Sequence, residues 1–483
     1  MALFTRKVTH NFAALGMIGF ILWFPFALNA EEAEDDTLPL MEGEGLTVTG
    51  SAETTQQMKV VTKEEIERRN ASDLATLLQE TLNLGVTRYG GYGNRVGINL
   101  RGFDSARIAF LIDGVPVNSP MGNDFDVSQL DLNAVERIEV TPGGSDTKYN
   151  VSGALGGVVN IITIKKQKTG LRLGGSVSNT SAMPGKYEKD GSTRSSRWED
   201  LLDAQNYSFF TGFGAEKYSW SAGIFANRAA NHFLYTNYEG KISRKENNEV
   251  WDTGVSGSYI RNLPDDYSKL IISGDVYYGD KNFPTSGLHT SLFGTQTDFS
   301  TRQNIMLDMP RAGRDDLAAE ASLSHTWQSL EYEPPAGNSS LHNQHLITAI
   351  NRWTWYPLAR LTLRSGWDYR FNYLDSTDIG DRSRHDGGLY LTAEYKAHKT
   401  FLIIPSVKAA FSGPSEQPVT PVPKLGFLWT PLELLTIKNN YYRSFKYPDF
   451  EDLYWAGDGQ TQGNPDLKPE DGWGGGLGRL PAL

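Results

Sequence analysis

The sequence predicts an α+β domain followed by an antiparallel transmembrane β-barrel, and three features support this fold class. Two segments in the first third, Ile98–Val117 and Ser152–Ile164, join tight Gly, Asp or Asn turns to runs of β-branched and large apolar residues. From Gly170 onward, about a dozen segments alternate polar and apolar residues, as strands with one wetted face do. The chain also begins with a segment typical of exported proteins, which favours a membrane barrel over a soluble β-sandwich.

The composition excludes several classes of function. The 483 residues include 46 Lys and Arg against 57 Asp and Glu, a formal net charge of −11. Nucleic acid is not an expected partner, because phosphate binding needs clustered cations. Cysteine is absent, which excludes disulfide scaffolds, thiolate metal sites and cysteine nucleophiles. The mean hydropathy of −0.42 is low for a helical membrane protein, but a β-barrel turns only alternate residues toward lipid.

Residues 1–30 predict a secretory signal peptide. A short basic start precedes the apolar run Phe12–Leu28, and Ala30 is followed at once by the acidic stretch EEAEDD. The alternative is a transmembrane anchor, but the apolar run is short for a helix that spans a bilayer. Residues 31–50 are acidic and contain proline and glycine, so they predict a disordered tether.

Residues 51–166 predict the α+β domain. Thr62 and Glu65 form a capping box at the start of one helix, and Ser72 and Asp73 are candidate caps for a second helix over Leu74–Leu82. The predicted strands are Gly85–Thr87, Ile98–Leu100, Arg107–Ile112, Val115–Val117, Arg137–Thr141 and Val158–Ile164.

Two residues, each followed by a glycine in a predicted turn, could have a catalytic role. Arg101 and Asp113 are residue types that hold phosphates or metals, but no histidine or carboxylate cluster stands nearby and no phosphate-binding glycine loop is present. We therefore expect structural roles for Arg101, Gly102, Asp113 and Gly114. Arg101 is expected to bond carbonyls or carboxylates of the barrel wall, and Asp113 to stabilise the tight Asp-Gly turn between two strands.

Residues 170–483 predict the barrel. Its expected strands are Leu171–Ser178, Tyr207–Phe213, Tyr218–Phe225, Val250–Ile260, Lys269–Tyr278, Leu317–Trp327, Gln344–Trp355, Leu361–Phe371, Gly388–Ala397, Ser406–Phe411, Lys424–Trp429 and Leu435–Tyr442. Short turns such as Asn262–Asp266 alternate with longer polar loops such as Phe283–Arg302. Aromatic residues at strand ends, including Trp353 and Trp429, suit an interfacial girdle. A propeller is disfavoured because no repeat of fixed period appears.

Four motifs of the α+β domain, in this order and spacing, resemble the plug domain of the TonB-dependent outer-membrane receptors. They are LRGF at Leu100–Phe103, LIDGVPV at Leu111–Val117, ERIEV at Glu136–Val140 and GALGGVVNIIT at Gly153–Thr163. SFKYPDFEDLY at Ser444–Tyr454 and NPDLKPE at Asn464–Glu470 are similar to paired barrel motifs of the same family. One departure is the turn after Val140, where the family commonly has Arg-Gly-Pro and this chain has Thr-Pro-Gly-Gly.

The segment LTVTG resembles the TonB box, by which family members recruit an inner-membrane energy transducer. It consists of Leu46, Thr47, Val48, Thr49 and Gly50. A short stretch of high β-propensity after a tether can add as a strand to the sheet edge of another protein. The alternative is that it forms the first strand of the plug domain.

The resemblance implies an outer-membrane receptor that takes up a scarce nutrient, with no enzymatic activity, no cofactor and no metal site. Cobalamin and ferric siderophores are the candidate ligands, with the short plug loops and GVVNIIT more similar to the cobalamin receptors. Haem is disfavoured, because no histidine lies between Phe445 and Asn464. The expected ligand-binding residues are Tyr89, Gly90, Gly91, Tyr92, Asn94, Pro120, Met121, Asn123 and Asp124, in two outward-facing loops. A calcium site within Asn118–Asp126 is the alternative role of the second loop.

Family barrels have 22 strands and continue beyond the NPDLKPE-like motif, whereas about a dozen strands are expected here. We therefore expect a truncated or frame-shifted receptor, with the glycine-rich tail GWGGGLGRLPAL as sequence from a wrong reading frame. Two further interpretations stay open: an outer-membrane binding protein or adhesin without transport, and a non-functional remnant of a receptor.

Overall fold

The computed structural model describes residues 58–69, 71, 73–143, 149, 151–163, 169–189, 191–196, 198–237, 239–284, 293–413, 418–432, 435–457 and 461–481. The predicted signal peptide, tether and TonB-box segment, residues 1–50, lie outside the described residues. No helix in the described part of the chain is long and apolar enough to cross a membrane.

The plug domain is built on a five-stranded mixed sheet. Its strands are β1 (Lys59–Thr62), β4 (Ile108–Ile112), β5 (Val115–Pro116), β6 (Val135–Pro142) and β7 (Gly157–Thr163), and a separate hairpin pairs β2 (Gly85–Arg88) with β3 (Val96–Asn99). The sheet order is β1-β6-β7-β4-β5, in which only β4 and β7 run parallel. The strands expected in this domain are confirmed to within two residues at their ends.

Two helices pack into the core of this domain: α1 (Lys63–Arg69), which contacts β1 and β6, and α2 (Leu74–Leu82), which contacts β2. Asp73 is the N-cap of α2, and its side chain accepts a hydrogen bond of 2.8 Å from the Thr76 backbone N–H, as the sequence predicts. Leu74, Leu77 and Leu78 point inward from α2 and are fully buried in the main hydrophobic core. This core holds the plug domain together independently of the barrel strands.

The second sheet has 14 antiparallel strands. They are β8 (Gly170–Thr180), β11 (Ala204–Gly214), β12 (Tyr218–Ala229), β15 (Val250–Asn262), β16 (Lys269–Pro284), β17 (Phe293–Met309), β18 (Leu317–Glu333), β19 (Ser340–Leu358), β20 (Leu361–Ser376), β21 (Arg382–His398), β22 (Phe401–Gly413), β23 (Val419–Leu432), β24 (Leu435–Lys446) and β25 (Glu470–Pro481). Each pairs only with its neighbours in this order. The sheet is open, because the described end strands β8 and β25 do not pair with each other.

Two of these strands were not among those predicted from the sequence. The expectation of a polar loop over Phe283–Arg302 was wrong for its second half, since β17 begins at Phe293. β17 is polar because its inward residues, such as Arg302 and Asn304, face the plug domain rather than an apolar core. The glycine-rich tail also forms a strand, β25, which pairs with β24 along its full length. β25 was missed because glycine has a low strand propensity, and the strand is recognised only by its backbone pairing with β24.

The connections between the 14 strands differ at the two ends of the sheet. At one end they are tight, as in residues 215–217 and 399–400. At the other end, the loop end, residues 181–203, 230–249 and 447–469 form long connections with structure of their own. These hold the hairpins β9 (Lys186–Lys189) with β10 (Ser192–Ser195) and β13 (Leu234–Thr236) with β14 (Ile242–Arg244), and helix α3 (Phe450–Tyr454).

Candidate functional site

The two predicted ligand loops of the plug domain lie at the loop end of the 14-stranded sheet. The first connects β2 to β3, and its Tyr92 is bonded to Asn231 of the loop after β12. The second follows β5, and its Pro120 and Met121 carbonyls accept hydrogen bonds from the first residues of α3. Each plug loop is therefore held by a long barrel loop, and together they form one surface.

Asn231 fixes the first plug loop through its side chain. Its Oδ1 accepts from the Tyr92 backbone N–H at 2.7 Å, and its Nδ2 donates to the Tyr92 carbonyl at 3.0 Å and to the Asn248 carbonyl at 2.9 Å. This arrangement copies the paired bonds of a β-bridge. Gly91 stands where a Cβ would overlap the Asn231 side chain, which explains the glycine at this position.

Helix α3 fixes the second plug loop. The Phe450 N–H donates to the Pro120 carbonyl at 3.1 Å, and the Glu451 N–H donates to the Met121 carbonyl at 2.9 Å. Met121 also packs against a small apolar cluster that contains Phe450 and Leu374. A capping box between Asp449 and Asp452 starts α3 and orients these two N–H groups toward the plug domain.

The predicted ligand residues divide into buried and outward-facing groups. Asn94 and Asn123 are almost fully buried, and the Asn123 Nδ2 donates to the Ala106 carbonyl at 2.6 Å. Tyr89 is the opposite case, with 62% of its surface exposed. Gly90, Gly91, Tyr92 and Met121 are half-buried between the plug and the barrel loops, and Pro120 is buried. Asn94 and Asn123 thus shape the loops, while Tyr89 is available to a ligand.

Asp124 belongs to a charged group on the same surface. It forms an ion pair with Arg95, whose guanidinium lies 5.6 Å from the centre of the Tyr89 ring. Burial raises the pKa of the Asp124 carboxyl, although Arg95 opposes this. Burial also raises the pKa of Glu451, and the nearby Asp124 charge adds to the effect. Within this group, Arg95 is therefore the cation beside two carboxyl groups that hold protons more readily than usual.

The two predicted structural turns have the same geometry. Arg101 and Gly102 have φ of 52° and 87°, and Asp113 and Gly114 have φ of 54° and 80°. Both pairs occupy the centre of two-residue turns with positive φ, which favours glycine at the second position. Asp113 ties its turn to the end of β7, because its carboxylate accepts from the Thr163 N–H at 3.0 Å and hydroxyl at 2.7 Å. The Arg101 side chain is exposed.

Two cations of the barrel wall bind the plug domain, and the sequence reasoning missed both. Arg352 of β19 donates to the Gly114 carbonyl at 3.0 Å and forms an ion pair with Glu320. Lys281 of β16 is completely buried, with its Nζ 3.3 Å from Asp126 of the plug and 3.0 Å from Asp298 of β17. The position of Lys281 on the inward face of a barrel strand could have indicated a contact with the plug domain. Its partners could not be identified, because they lie far away in sequence.

Family models match both parts of this chain. The model described as TonB-dependent Receptor Plug Domain matches residues 51–158, and the model described as TonB dependent receptor-like, beta-barrel matches residues 180–478. The chain belongs to the TonB-dependent receptor family. Receptors of this family are outer-membrane proteins rather than enzymes, and they bind small-molecule nutrients such as siderophores or vitamin B12. The chain is therefore an outer-membrane protein.

Curated relatives of this receptor include vitamin B12 transporters. The vitamin B12 transporter BtuB of Vibrio vulnificus is 25% identical over 424 residues, which covers 86% of this chain and 62% of that protein. BtuB of Photobacterium profundum is also 25% identical, with 86% and 62% covered. The receptor thus spans 62% of the length of these two relatives.

Solved structures show the same fold at lower identity. The ferric enterobactin receptor of Pseudomonas aeruginosa in complex with enterobactin has a TM-score of 0.68 at 16% identity, covering 89% of this chain and 70% of that one. The siderophore receptor PirA of Acinetobacter baumannii has a TM-score of 0.68 at 14% identity, covering 87% and 68%. These likenesses establish the fold alone.

Replacement of Asn231 by alanine is expected to loosen the first plug loop. The change removes three hydrogen bonds to backbone groups, each with a net contribution of about 1 kcal/mol. Hydrogen–deuterium exchange should rise at Tyr92 and across residues 230–249. Asn237→Ala is the matched control, because Asn237 bonds only within its own hairpin among the contacts described. Unchanged exchange at Tyr92 in the Asn231 variant would show that the Asn231 side chain does not hold the loop.

Proposed function

We propose that this receptor takes up a cobalamin-type corrinoid across the outer membrane. The observation that carries the proposal is the joint surface at the loop end, where plug loops held by barrel loops present Tyr89 and Arg95 to the outside, with the partly buried Asp124 paired to Arg95. The curated relatives of this receptor named above are vitamin B12 transporters. Ferric siderophores are the alternative ligand class.

The charge of the surface supports the corrinoid. A ferric catecholate complex is strongly anionic and requires clustered cations, because opposite charge must replace its hydration. The described cations beside the second plug loop already have partners: Arg95 pairs with Asp124, next to Glu451, and Arg382 lies over the Tyr454 ring of α3. An exposed aromatic ring beside amides and backbone groups suits a large ligand of mixed polarity. We assign the ligand contacts to Tyr89 and Asp124 first, with Gly90, Gly91, Tyr92, Pro120 and Met121 supporting them.

Equilibrium binding tests the ligand assignment. Purified receptor in detergent should bind cyanocobalamin saturably, and Tyr89→Ala should weaken this binding about tenfold, the loss expected for an aromatic contact. Tyr267→Ala is the control, since Tyr267 is also exposed, at 49% against 62% for Tyr89, but lies in a turn at the opposite end of the sheet. Preference for ferric enterobactin over cyanocobalamin, or equal effects of the two variants, would overturn the assignment.

We also propose that Leu46–Gly50 recruits a TonB-type energy transducer by strand addition. Transport and binding are separable by deletion of these five residues. Cyanocobalamin should still bind at the surface, whereas energy-dependent uptake should be lost. A receptor whose uptake survives the deletion does not use this segment, and one that binds without any uptake is a binding protein rather than a transporter.

A further inference from the structure

A cavity of about 490 Å³ lies between one flank of the plug domain and the 14-stranded sheet. The plug side is formed by α1 and by residues near Asp131 and Glu136, and the wall side by strands from β8 to β18. The volume is that of a pocket for a small molecule or for one arm of a larger one. The cavity lies apart from the outer surface that carries Tyr89.

The wall of this cavity contains a lateral row of small polar residues, here called the serine row. Its members pair directly across five neighbouring strands: Ser221, Ser258, Ser273, Asn304 and Ser324. All five line the cavity. Adjacent strands are about 4.8 Å apart, so the row is a continuous polar band about 19 Å long. Packing does not require this composition, because serine fills little space and prefers water or a hydrogen-bond partner.

Asn304 and Arg302 bring unused hydrogen-bonding groups to this band. Neither the Nδ2 nor the Oδ1 of Asn304 has a partner, although both atoms are buried. Arg302 is 7% exposed and forms a two-point ion pair with Asp275, in which Nε and Nη2 lie 2.9 Å and 2.6 Å from the two oxygens. Its Nη1 is buried without a partner. Buried polar groups without partners are unfavourable, which points to a ligand that supplies them.

We infer that Asn304 and Arg302 form an internal binding site for a primary carboxamide group of the transported ligand. An amide pairs with the Asn304 amide through two hydrogen bonds, one in each direction, and its carbonyl accepts a third bond from the Arg302 Nη1. A carboxylate only accepts, so it leaves the Asn304 Oδ1 unpaired beside a negative charge. The inference rests on the proposed function and deepens it, since corrinoids carry primary carboxamide arms and catecholate siderophores do not.

Contacts between plug and wall lie between this cavity and the loop end. The cavity is therefore an internal site rather than the site where a ligand first binds. Ser208 donates to Asp131 at 2.9 Å, Ser300 donates to Gln129 at 3.4 Å, and Lys281 holds Asp126. These contacts join the plug to β11, β16 and β17, on the side nearer to the loop end. A ligand arm therefore reaches Asn304 after these contacts have opened.

Alkylation of a single cysteine tests the inference, and the absence of native cysteine makes the label specific. Ser273→Cys places a thiol beside Asn304 in the purified receptor. Iodoacetamide, a primary carboxamide, is compared with 2-iodoethanol, and the ratio of their rates is normalised to the exposed reporter Ser192→Cys. The normalised ratio of the two rates should be about three to ten, the factor that corresponds to the net contribution of one hydrogen bond.

Two further variants make the result specific. Asn304→Leu in the Ser273→Cys background should abolish the preference for iodoacetamide. Thr326→Val, which changes another cavity residue, should leave the preference unchanged. The comparison includes only variants whose unfolding temperature matches that of the Ser273→Cys receptor. A ratio near one, a preference that survives Asn304→Leu, or a thiol that does not react would overturn the inference. Cyanocobalamin binding is measured separately, so failure of the proposed ligand and failure of the internal site are distinguishable.

Discussion

Replacement of Lys281 by methionine is expected to destabilise the receptor by about 3–5 kcal/mol, the loss typical when one partner of a buried ion pair is removed. Lys281 is the only described cation within 4 Å of Asp298, and it also holds Asp126. Methionine fills a similar volume without a charge. The variant therefore leaves two carboxylates, one on the plug and one on the wall, facing each other in a buried site.

The pH dependence of this variant has a defined sign. Burial raises the pKa of Asp126, but Lys281 and Ser128 more than offset this and hold the pKa below its ordinary value. In the unmodified receptor this carboxylate stabilises the fold above pH of about 4 and loses that effect as the pH falls through the folded pKa. Without Lys281, burial is opposed only by the bonds from Ser128, and we expect the pKa of Asp126 to be raised. Acidification from pH of about 7 to about 5 should then recover part of the lost stability.

Thermal unfolding in detergent, followed by tryptophan fluorescence at both pH values, measures these effects. Lys241→Met is the control, because Lys241 pairs with Glu239 at 2.8 Å while 57% of its side chain is exposed. That exposed pair should contribute less than about 1 kcal/mol. A Lys281 variant that unfolds like the Lys241 variant, or that loses further stability on acidification, would contradict the assigned role.

Replacement of Asn118 by leucine is expected to have the next largest effect, about 3 kcal/mol. Its Oδ1 accepts from the Phe110 N–H at 2.7 Å, and its Nδ2 donates to the Ile108 carbonyl at 2.9 Å and the Asn123 carbonyl at 2.8 Å. All three bonds are buried, and each has a net contribution of about 1 kcal/mol. The amide thus ties the second plug loop to β4.

Hydrogen exchange at the Phe110 amide reports this contact directly, since its acceptor is the replaced side chain. Exchange there should rise sharply in Asn118→Leu. Asn179→Leu is a suitable control, because Asn179 is exposed and bonds the Leu201 carbonyl at the surface. Protection of Phe110 that persists in the Asn118 variant would show that another group holds this strand.

Local sequence patterns predicted the plug domain well. The boundaries of α2 and the Asp113–Gly114 turn follow from capping residues, leucine spacing and the demand for positive φ, all of which act within a few residues. Twelve barrel strands were also predicted, because their outward faces are regularly apolar. β17 and β25 were not, since polar inward residues or repeated glycines hide the alternation.

The contacts that build the candidate site were beyond sequence reasoning. Tyr92 and Asn231 are 139 residues apart, and no local pattern relates them. The burial of Asn94 and Asn123 likewise depends on surroundings supplied by folding, although both residue types suit an exposed loop equally well. Sequence motifs therefore located the two plug loops, while the structure divided them into residues that hold the loop and residues that face outward.

The pairing pattern of the strands has a consequence for the order of assembly. In the 14-stranded sheet, each strand pairs with the sheet strands that come before and after it in the sequence. Hairpins can therefore add one after another through contacts that are mostly short in sequence separation. The plug is attached through bonds that span 139, 225 and 363 residues, at Tyr92, Ser119 and Arg107. Loop closure over such distances is slow unless the wall already exists. We therefore expect the plug domain to dock after the wall strands that it contacts have formed.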